Sequence, residues 1–217
     1  MNLKEKFEHL KSKLSLDLIA LRVVESQDYT PFDTMELILK TQRGELGAFE
    51  ELVRRYEKMV YSLAFQMLNN HDDADDVLQD AFVKVYKSLI NLKNPSAFLT
   101  WLHRIVVNLS IDFARKKNRW VELHEQAEEL DDDMPLISLW PTNPELIYKN
   151  RKLMELVQEA VMELPPRQRA VIILHEVKGY SKKEIGRILK CPQGTVRSNL
   201  HYAREKLKKR LEKHINL

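Results

Sequence analysis

The stretch YSKKEIGRILKCPQGTVRSNLHYAREKLKKRL, residues 180–211, predicts two helices joined by a tight turn. Ser181 is a favourable N-cap residue, and Glu184 three residues later completes the capping-box pattern that starts a helix. The run Lys190-Cys191-Pro192 ends this helix, because proline lacks the backbone N–H that a continuing helix needs. The second helix has an apolar stripe that consists of Val196, Leu200, Ala203 and Leu207.

The opposite face of the second helix is polar and carries Gln193, Arg197, Ser198, His201 and Arg204. In the first helix, Gly186 is small at the point where the second helix must approach. The pair therefore favours a helix-turn-helix, whose second helix enters the major groove of DNA and offers side chains to base edges. An ordinary helical hairpin with a solvated polar face is the alternative.

The composition favours helices and a reducing compartment. The 217 residues include five glycines, and the single cysteine, Cys191, excludes an intramolecular disulfide framework. The sequence has no apolar run long enough to cross a membrane, and its charged first residues are unlike a signal peptide. We therefore expect a cytoplasmic, all-α protein with no membrane insertion of its own.

Charge is distributed unevenly along the chain. The segment from Trp120 to Tyr148 holds eight of the 32 acidic residues and none of the 35 basic ones, and three prolines interrupt it. This composition is typical of a linker. Outside it, 35 basic residues face 24 acidic ones. That excess is compatible with polyanion binding but is weak evidence alone.

The sequence therefore predicts four parts. They are an N-terminal extension at 1–33, a first helical domain at 34–119, an acidic linker at 120–148 and a second helical domain at 149–217. The extension has one helical stripe, formed by Leu3, Phe7, Leu10, Leu14, Leu18 and Leu21. We expect this helix either to pack on its own protein or to bind a regulator or partner.

The segment HDDADDVLQDAF, residues 71–82, crowds acids onto one flank of a predicted helix. One side carries the apolar residues Ala74, Leu78, Ala81, Phe82, Val85 and Leu89. The other carries Asp72, Asp76, Gln79, Asp80 and Val83, with Asp73 at the edge. Asn70 or His71 can cap the start of this helix. A calcium loop is excluded, because Val77 and Val83 stand where glycine and glutamate are required. A protein-docking surface is the better interpretation.

A further helix is predicted from Pro95 to the basic run at Arg115–Arg119. Its core stripe consists of Phe98, Leu102, Ile105, Val106, Leu109 and Phe113. A polar face carries Thr100, Arg104, Asn108, Asp112 and Arg115, and Lys116 adds to the basic end. Such a face suits a phosphate backbone, and asparagine can read a base edge. Trp101 either packs in the core or stacks on an exposed base.

Four segments in this order resemble the bacterial RNA polymerase sigma factors of the extracytoplasmic-function (ECF) group. Residues 47–68 (GAFEELVRRYEKMVYSLAFQML) resemble the first conserved segment of that family, and 73–89 (DADDVLQDAFVKVYKSL) its polymerase-docking helix. Residues 97–117 (AFLTWLHRIVVNLSIDFARKK) resemble the segment that melts and reads the −10 promoter element. Residues 163–207 resemble the domain whose helix-turn-helix reads the −35 element.

The resemblance implies two small helical domains joined by the acidic linker, a role in transcription initiation, and no cofactor or catalytic site. The implied partners are core RNA polymerase, promoter DNA and an anti-sigma factor. The implied polymerase contacts are Asp73, Asp76, Gln79 and Asp80. The implied −10 contacts are Trp101, Arg104, Asn108, Asp112, Arg115 and Lys116. The implied −35 contacts are Gly194, Thr195, Arg197, Ser198, His201 and Arg204.

The sequence departs from the family pattern at three positions. Lys190 stands where relatives often have a turn glycine, so a left-handed backbone there would carry a cost. Asn199 replaces a frequent basic residue, and Leu102 stands where housekeeping relatives have a second tryptophan. Two other classes remain as alternatives: a helix-turn-helix repressor or activator that needs no polymerase, and a metal-dependent hydrolase that uses the acids at 72–80.

Overall fold

The chain, described here by a computed structural model, has placed residues at 31–124 and 155–215. The first range contains helices α1 (Pro31–Gln42), α2 (Leu46–Leu68), α3 (His71–Ser88) and α4 (Phe98–His124), with short 3₁₀ turns at Leu89–Asn91 and Pro95–Ala97. The second contains α5 (155–162), α6 (Pro166–Ile172), a π-helical turn (Ile173–Val177), α7 (Lys182–Ile188) and α8 (Gln193–Ile215). Both ranges are free of β-strand, which confirms the predicted all-α class.

The helix ends differ slightly from the predicted domain boundaries. Helix α1 begins at Pro31, inside the predicted extension, and α4 continues to His124, inside the predicted acidic linker. The leucine stripe of the extension and the acids from Glu125 onward lie outside the described residues. No helix within the described ranges has the length and apolarity needed to span a bilayer.

The first lobe is formed by α1 to α4, which pack their apolar stripes on one another. Its core includes Leu52, Val60, Leu63, Val77, Val85, Leu102 and Val106. Helix α2 ends at Asn69, which adopts a left-handed conformation with φ of 56°. The next residue, Asn70, caps α3 by accepting a hydrogen bond from the backbone N–H of Asp73 at 2.9 Å. This sharp turn makes α2 and α3 neighbours and fixes which flank of α3 faces outward.

The second lobe contains the predicted helix-turn-helix. The capping box at its start is confirmed: the Ser181 hydroxyl accepts from the N–H of Glu184 at 3.3 Å, and the Ser181 N–H donates to the Glu184 carboxylate at 2.8 Å. These hydrogen bonds lower the pKa of Glu184. Lys190 adopts the expected left-handed backbone, with φ of 51°. A Cβ at Gly186 would lie 2.9 Å from the Cys191 carbonyl oxygen, which explains why the position is glycine.

The two lobes pack against each other and share one apolar core. We call the hydrogen-bonded contact between them the seam, and it consists of Met67, Asn69 and His103 in the first lobe and Gln158, Arg169 and Tyr180 in the second. The Gln158 amide donates to the Asn69 side-chain oxygen at 2.7 Å. The sequence predicted an acidic linker between the lobes but gave no indication of this direct contact.

Arg169 is the buried cation of the seam, and its side chain is 7% exposed. Its guanidinium donates to the carbonyl of Met67 at 2.5 Å, in the last turn of α2. It also donates to the carbonyls of Met162, the last residue of α5, and Leu164, between α5 and α6. Burial lowers the pKa of Arg169 to about 10, so the group stays charged at neutral pH. A cation at the C-terminal end of a helix is favourable, because the free carbonyls carry partial negative charge.

His103 also belongs to the seam and is held there in neutral form. Its Nδ1 lies 2.5 Å from the Tyr180 hydroxyl and its Nε2 lies 3.0 Å from the Met59 sulfur. A thioether only accepts, so Nε2 carries the proton and Nδ1 accepts from Tyr180. Burial, with a smaller contribution from Lys178, lowers the pKa of His103 to about 3.

Replacing Gly186 with alanine should destabilise the second lobe. The added Cβ would meet a backbone oxygen, which cannot move aside as a flexible side chain can, and overpacking of this kind costs about 1–3 kcal/mol. The measurement is denaturant unfolding. Gly47→Ala is the matched control, because nothing lies within 4 Å of the corresponding position. Equal stability of both variants would contradict the close approach.

Acidification should destabilise the protein through His103. The folded-state pKa lies below the unfolded one, so the unfolded chain binds the proton more readily and stability falls as pH drops below about 6.5. Between pH 6.5 and pH 5 the loss should be about 1.5 kcal/mol. The measurement is the difference in unfolding free energy between the native protein and His103→Asn across this range. The other histidines are common to both proteins, so a difference in unfolding free energy that does not change with pH would refute the buried neutral state of His103.

Candidate functional site

The outer flank of α3 presents three of the four predicted docking residues together. Asp76, Gln79 and Asp80 are exposed, and they lie on the side of α3 that faces away from the core. Buried Ala74, Val77, Ala81 and Val85 hold the opposite side of the helix against α2 and α4. This exposed flank, which we call the acidic face, can accept hydrogen bonds or ion pairs from a basic partner.

Asp73 is placed differently from the other three. Its side chain is only 14% exposed and forms an ion pair with Lys117 on α4, with Nζ and Oδ2 2.7 Å apart. Its backbone N–H is also held by the Asn70 cap. Asp73 therefore ties the first turn of α3 to the basic end of α4, and it contributes little open surface to the acidic face.

Apolar side chains extend the acidic face, and the sequence analysis missed most of them. Val83 is 50% exposed, Tyr86 52% and Ile90 67%. Leu46 at the start of α2 is 61% exposed, and Phe49 packs on Tyr86 with ring centroids 5.0 Å apart. The three-residue step from Val83 to Tyr86 was a signal available in the sequence. Large exposed apolar groups beside acids are typical of protein-binding surfaces.

A groove of about 400 Å³ lies between α3 and α4 and is lined by Val77, Asp80, Leu109, Asp112, Phe113, Arg115 and Lys116. It places one predicted polymerase residue, Asp80, beside three predicted −10 residues on α4. The docking flank of α3 and the basic end of α4 therefore adjoin along a single surface.

The predicted −10 residues lie on α4 with unequal exposure. Asp112, Arg115 and Lys116 are exposed, and Arg104 and Asn108 are half-buried. The Asn108 amide donates to the carbonyl of Arg104 at 2.7 Å, so its NH₂ group is directed along its own helix. Trp101 is half-buried and packs on Phe98, with ring centroids 5.9 Å apart. Trp101 therefore packs against the core and keeps part of its surface exposed.

The predicted −35 residues all lie on the exposed first half of α8: Gly194, Thr195, Arg197, Ser198, His201 and Arg204. Buried Val196, Leu200 and Ala203 fix the opposite side of the helix against the second lobe. The Ser198 hydroxyl donates to the Gly194 carbonyl at 3.1 Å. His201 lies 3.9 Å from the Glu205 carboxylate.

Arg204 is held by a carboxylate that the sequence analysis did not identify. Its Nη2 and Nε lie 2.5 Å and 3.1 Å from one oxygen of Glu176, in the π-helical turn before α7. In the same lobe, α7, α8 and the turn between them expose many cations: Lys183, Arg187, Lys190, Arg197, Lys206, Lys208 and Lys209. This surface is suited to a polyanion.

Two solved structures share the fold. One is CnrH in complex with the cytosolic domain of CnrY, with a TM-score of 0.57 and 24% identity, covering 83% of this chain and 97% of that one. The other is the sigma factor RpoE of Bartonella quintana in complex with the anti-sigma factor NepR. It has a TM-score of 0.58 and 23% identity, and the match covers 76% of this chain and 96% of that one.

Family models and curated relatives match both lobes. The model of sigma-70 region 2 matches residues 52–120, and the model of sigma-70 region 4 matches residues 154–207. The ECF RNA polymerase sigma factor SigE of Mycolicibacterium smegmatis is 38% identical over 79% of this chain, which spans 65% of that protein. SigW of Bacillus subtilis is 33% identical over 82% of this chain and 98% of its own length.

The ECF RNA polymerase sigma-E factor of Escherichia coli is 34% identical over 81% of this chain and 93% of its own length. These matches extend through both lobes, and they include the acidic face of α3, the basic end of α4 and the helix-turn-helix. The chain therefore belongs to the sigma-70 family, as a member of its ECF group of RNA polymerase sigma factors.

Proposed function

We propose that this chain is a dissociable specificity subunit of RNA polymerase with no active site of its own. It binds core polymerase in the cytoplasm and directs it to promoters with −10 and −35 elements. The observation that carries the proposal is the presence, on one chain, of an exposed acidic face on α3 and separate basic surfaces on α4 and α8. A repressor that needs only duplex DNA would have no use for the acidic face.

The acidic face of α3 is the proposed polymerase-binding surface. Asp76, Gln79 and Asp80 supply acceptors for a basic partner, and exposed Val83 and Tyr86 supply apolar area beside them. Interfaces of this kind combine charge complementarity, which guides encounter, with an apolar centre, which contributes affinity. Asp73 acts from behind this surface by holding Lys117.

The polar face of α4 is the proposed −10 surface. Arg104, Arg115 and Lys116 provide positive charge for the backbone of the opened strand, and Trp101 provides a ring on which a base can stack. Asn108 and Asp112 lie between them and can contact base edges. Unstacking a base step costs a few kcal/mol, so a prepared surface is needed to capture the released bases.

The first half of α8 is the proposed −35 surface. Gly186 within α7 allows the following turn to approach closely, and the pairing of α7 with α8 leaves Arg197, Ser198 and His201 exposed for the major groove. Gly194 and Thr195 in the first turn can approach the phosphate backbone closely, and Arg204 lies farther along the same face.

Control by an anti-sigma factor is also part of the proposal. A structural neighbour, RpoE of Bartonella quintana, was solved with its anti-sigma factor NepR. The exposed apolar side chains beside the acidic face of this chain offer a surface that such a partner can cover.

Run-off transcription with core polymerase of the source organism tests the proposal as a whole. Templates should be genomic fragments recovered by mapping where the holoenzyme binds. We expect defined transcripts from a small set of promoters only when this chain is added. Their absence across the mapped fragments, with core polymerase active on a control sigma factor, would refute the function.

Reversing the charge on the acidic face should strongly weaken binding to core polymerase. Asp76→Lys with Asp80→Lys should weaken binding to core enzyme by about 30-fold or more, since removing one charge from such an interface costs about 2 kcal/mol and reversal adds repulsion. The measurement is equilibrium binding of labelled protein, with circular dichroism as the check on folding.

Glu159→Lys with Glu205→Lys is the matched control, because it makes the same net charge change at exposed positions of the second lobe, outside the acidic face and the apolar side chains beside it. We expect the control to retain binding. Equal loss in both double variants would mean that overall charge, and not the acidic face, drives association.

A further inference from the structure

Two arginines on the proposed −35 surface have different surroundings. Arg197 is exposed in the first turns of α8, among the residues that face the major groove. Arg204, seven residues later and about 10 Å farther along the helix, directs two guanidinium nitrogens at one oxygen of Glu176. Both arginines are exposed on the same face of α8, but Arg204 is also held by a carboxylate of another element.

The Glu176–Arg204 pair joins two separate elements of the second lobe. Glu176 belongs to the π-helical turn that follows α6, and Arg204 lies in the fourth turn of α8. The Glu176 side chain is 29% exposed and that of Arg204 is 55% exposed. The side of α8 opposite the duplex is fixed by Val196, Leu200 and Ala203. The ion pair adds a polar attachment on the outer side, so α8 is held on two sides.

A phosphate contact by Arg204 would have a consequence for Glu176. The guanidinium would have to leave the carboxylate, and an unpaired negative charge would then lie near the DNA backbone. The Glu176 carboxylate and a nearby phosphate would repel each other, because both are negative. Keeping the pair intact avoids this, and it leaves the first three turns of α8 to contact DNA.

We propose that Glu176 and Arg204 form a brace that sets the orientation of α8 on the −35 element, and that Arg204 is a positioning residue and not a phosphate contact. This inference rests on the proposed function. Recognition side chains must be held within about 0.5 Å and 10–20° of the productive geometry. A brace just beyond His201 restrains the tilt and rotation of the turns that carry Arg197, Ser198 and His201.

The test uses the full chain assembled with core polymerase and a promoter fragment with either an intact or a scrambled −35 element. Affinity is measured over a series of salt concentrations for Glu176→Gln, Arg204→Gln, the double neutral variant and the charge swap Glu176→Arg with Arg204→Glu. Arg197→Gln serves as the reference for a residue that contacts DNA.

If Glu176 and Arg204 form a brace, each neutral variant should weaken −35-dependent binding by about fivefold. That loss is at the upper end of what an exposed ion pair contributes. The double neutral variant is no worse than either single one, the charge swap recovers most of the loss, and the salt slope stays at the native value. Arg197→Gln lowers that slope or the preference for the intact element.

The opposite pattern would overturn the proposal. If Arg204 contacts phosphate, Arg204→Gln lowers the salt slope by about one, Glu176→Gln tightens binding, and the charge swap is the weakest binder. Native affinity in every variant would equally refute the brace.

A third result would show that the proposed −35 function itself is wrong, separately from the brace. If the native holoenzyme ignores the −35 element, the brace is judged by a double-mutant cycle on denaturant unfolding of the free chain. No coupling between positions 176 and 204 in that cycle overturns it.

Discussion

The arrangement of the two lobes depends on the buried guanidinium of Arg169. A buried cation is costly unless its hydrogen-bonding capacity is used, and here three backbone carbonyls accept from it. The Met67 carbonyl belongs to the end of α2, and those of Met162 and Leu164 belong to the end of α5 and the residues just after it, so all three hydrogen bonds form only when the two lobes are in contact. The buried Nε of Arg169 has no partner among the described residues. The neutral His103 and the Gln158 amide complete the polar contacts of the seam, and the shared apolar core surrounds them.

The helices and the helix-turn-helix could be predicted from the sequence, because they depend on local signals. The capping box at Ser181 and the small residue at Gly186 follow from neighbouring residues, and both are present in the structure. The left-handed backbone of Lys190 was expected from the turn glycine that the family often has there, and it is present too. The seam could not be predicted in this way. The hydrogen bond from Arg169 to Met67 joins residues 102 positions apart, and that between His103 and Tyr180 joins residues 77 apart. Helical periodicity tells which face is buried, but it does not tell which helix covers it.

The sequence predicted which residues of the candidate site are exposed wherever the helical period alone decides which side of a helix faces solvent. Asp76, Gln79 and Asp80 fall on the exposed flank of α3 as the helical period requires. Asp73, at the edge of that pattern, is paired with Lys117, and Arg204 is paired with Glu176. Both partners come from other helical elements, so one helical plot could not identify them. In each lobe an ion pair between elements lies directly beside the residues proposed to meet the partner.

The closeness of the two lobes has a thermodynamic consequence. Elements about 25 base pairs apart are separated by about 85 Å along the duplex, at about 3.4 Å per base pair. Lobes joined by hydrogen bonds of 2.5–2.7 Å cannot occupy both elements at once. For the proposed function the chain would therefore have to open on the promoter. If polymerase binds only the open form, its apparent affinity for this chain falls in proportion to the fraction of open molecules, so that one open molecule in 100 reduces it about 100-fold. Strengthening the contact between the lobes would yield a more stable free protein that competes less well for the transcription machinery.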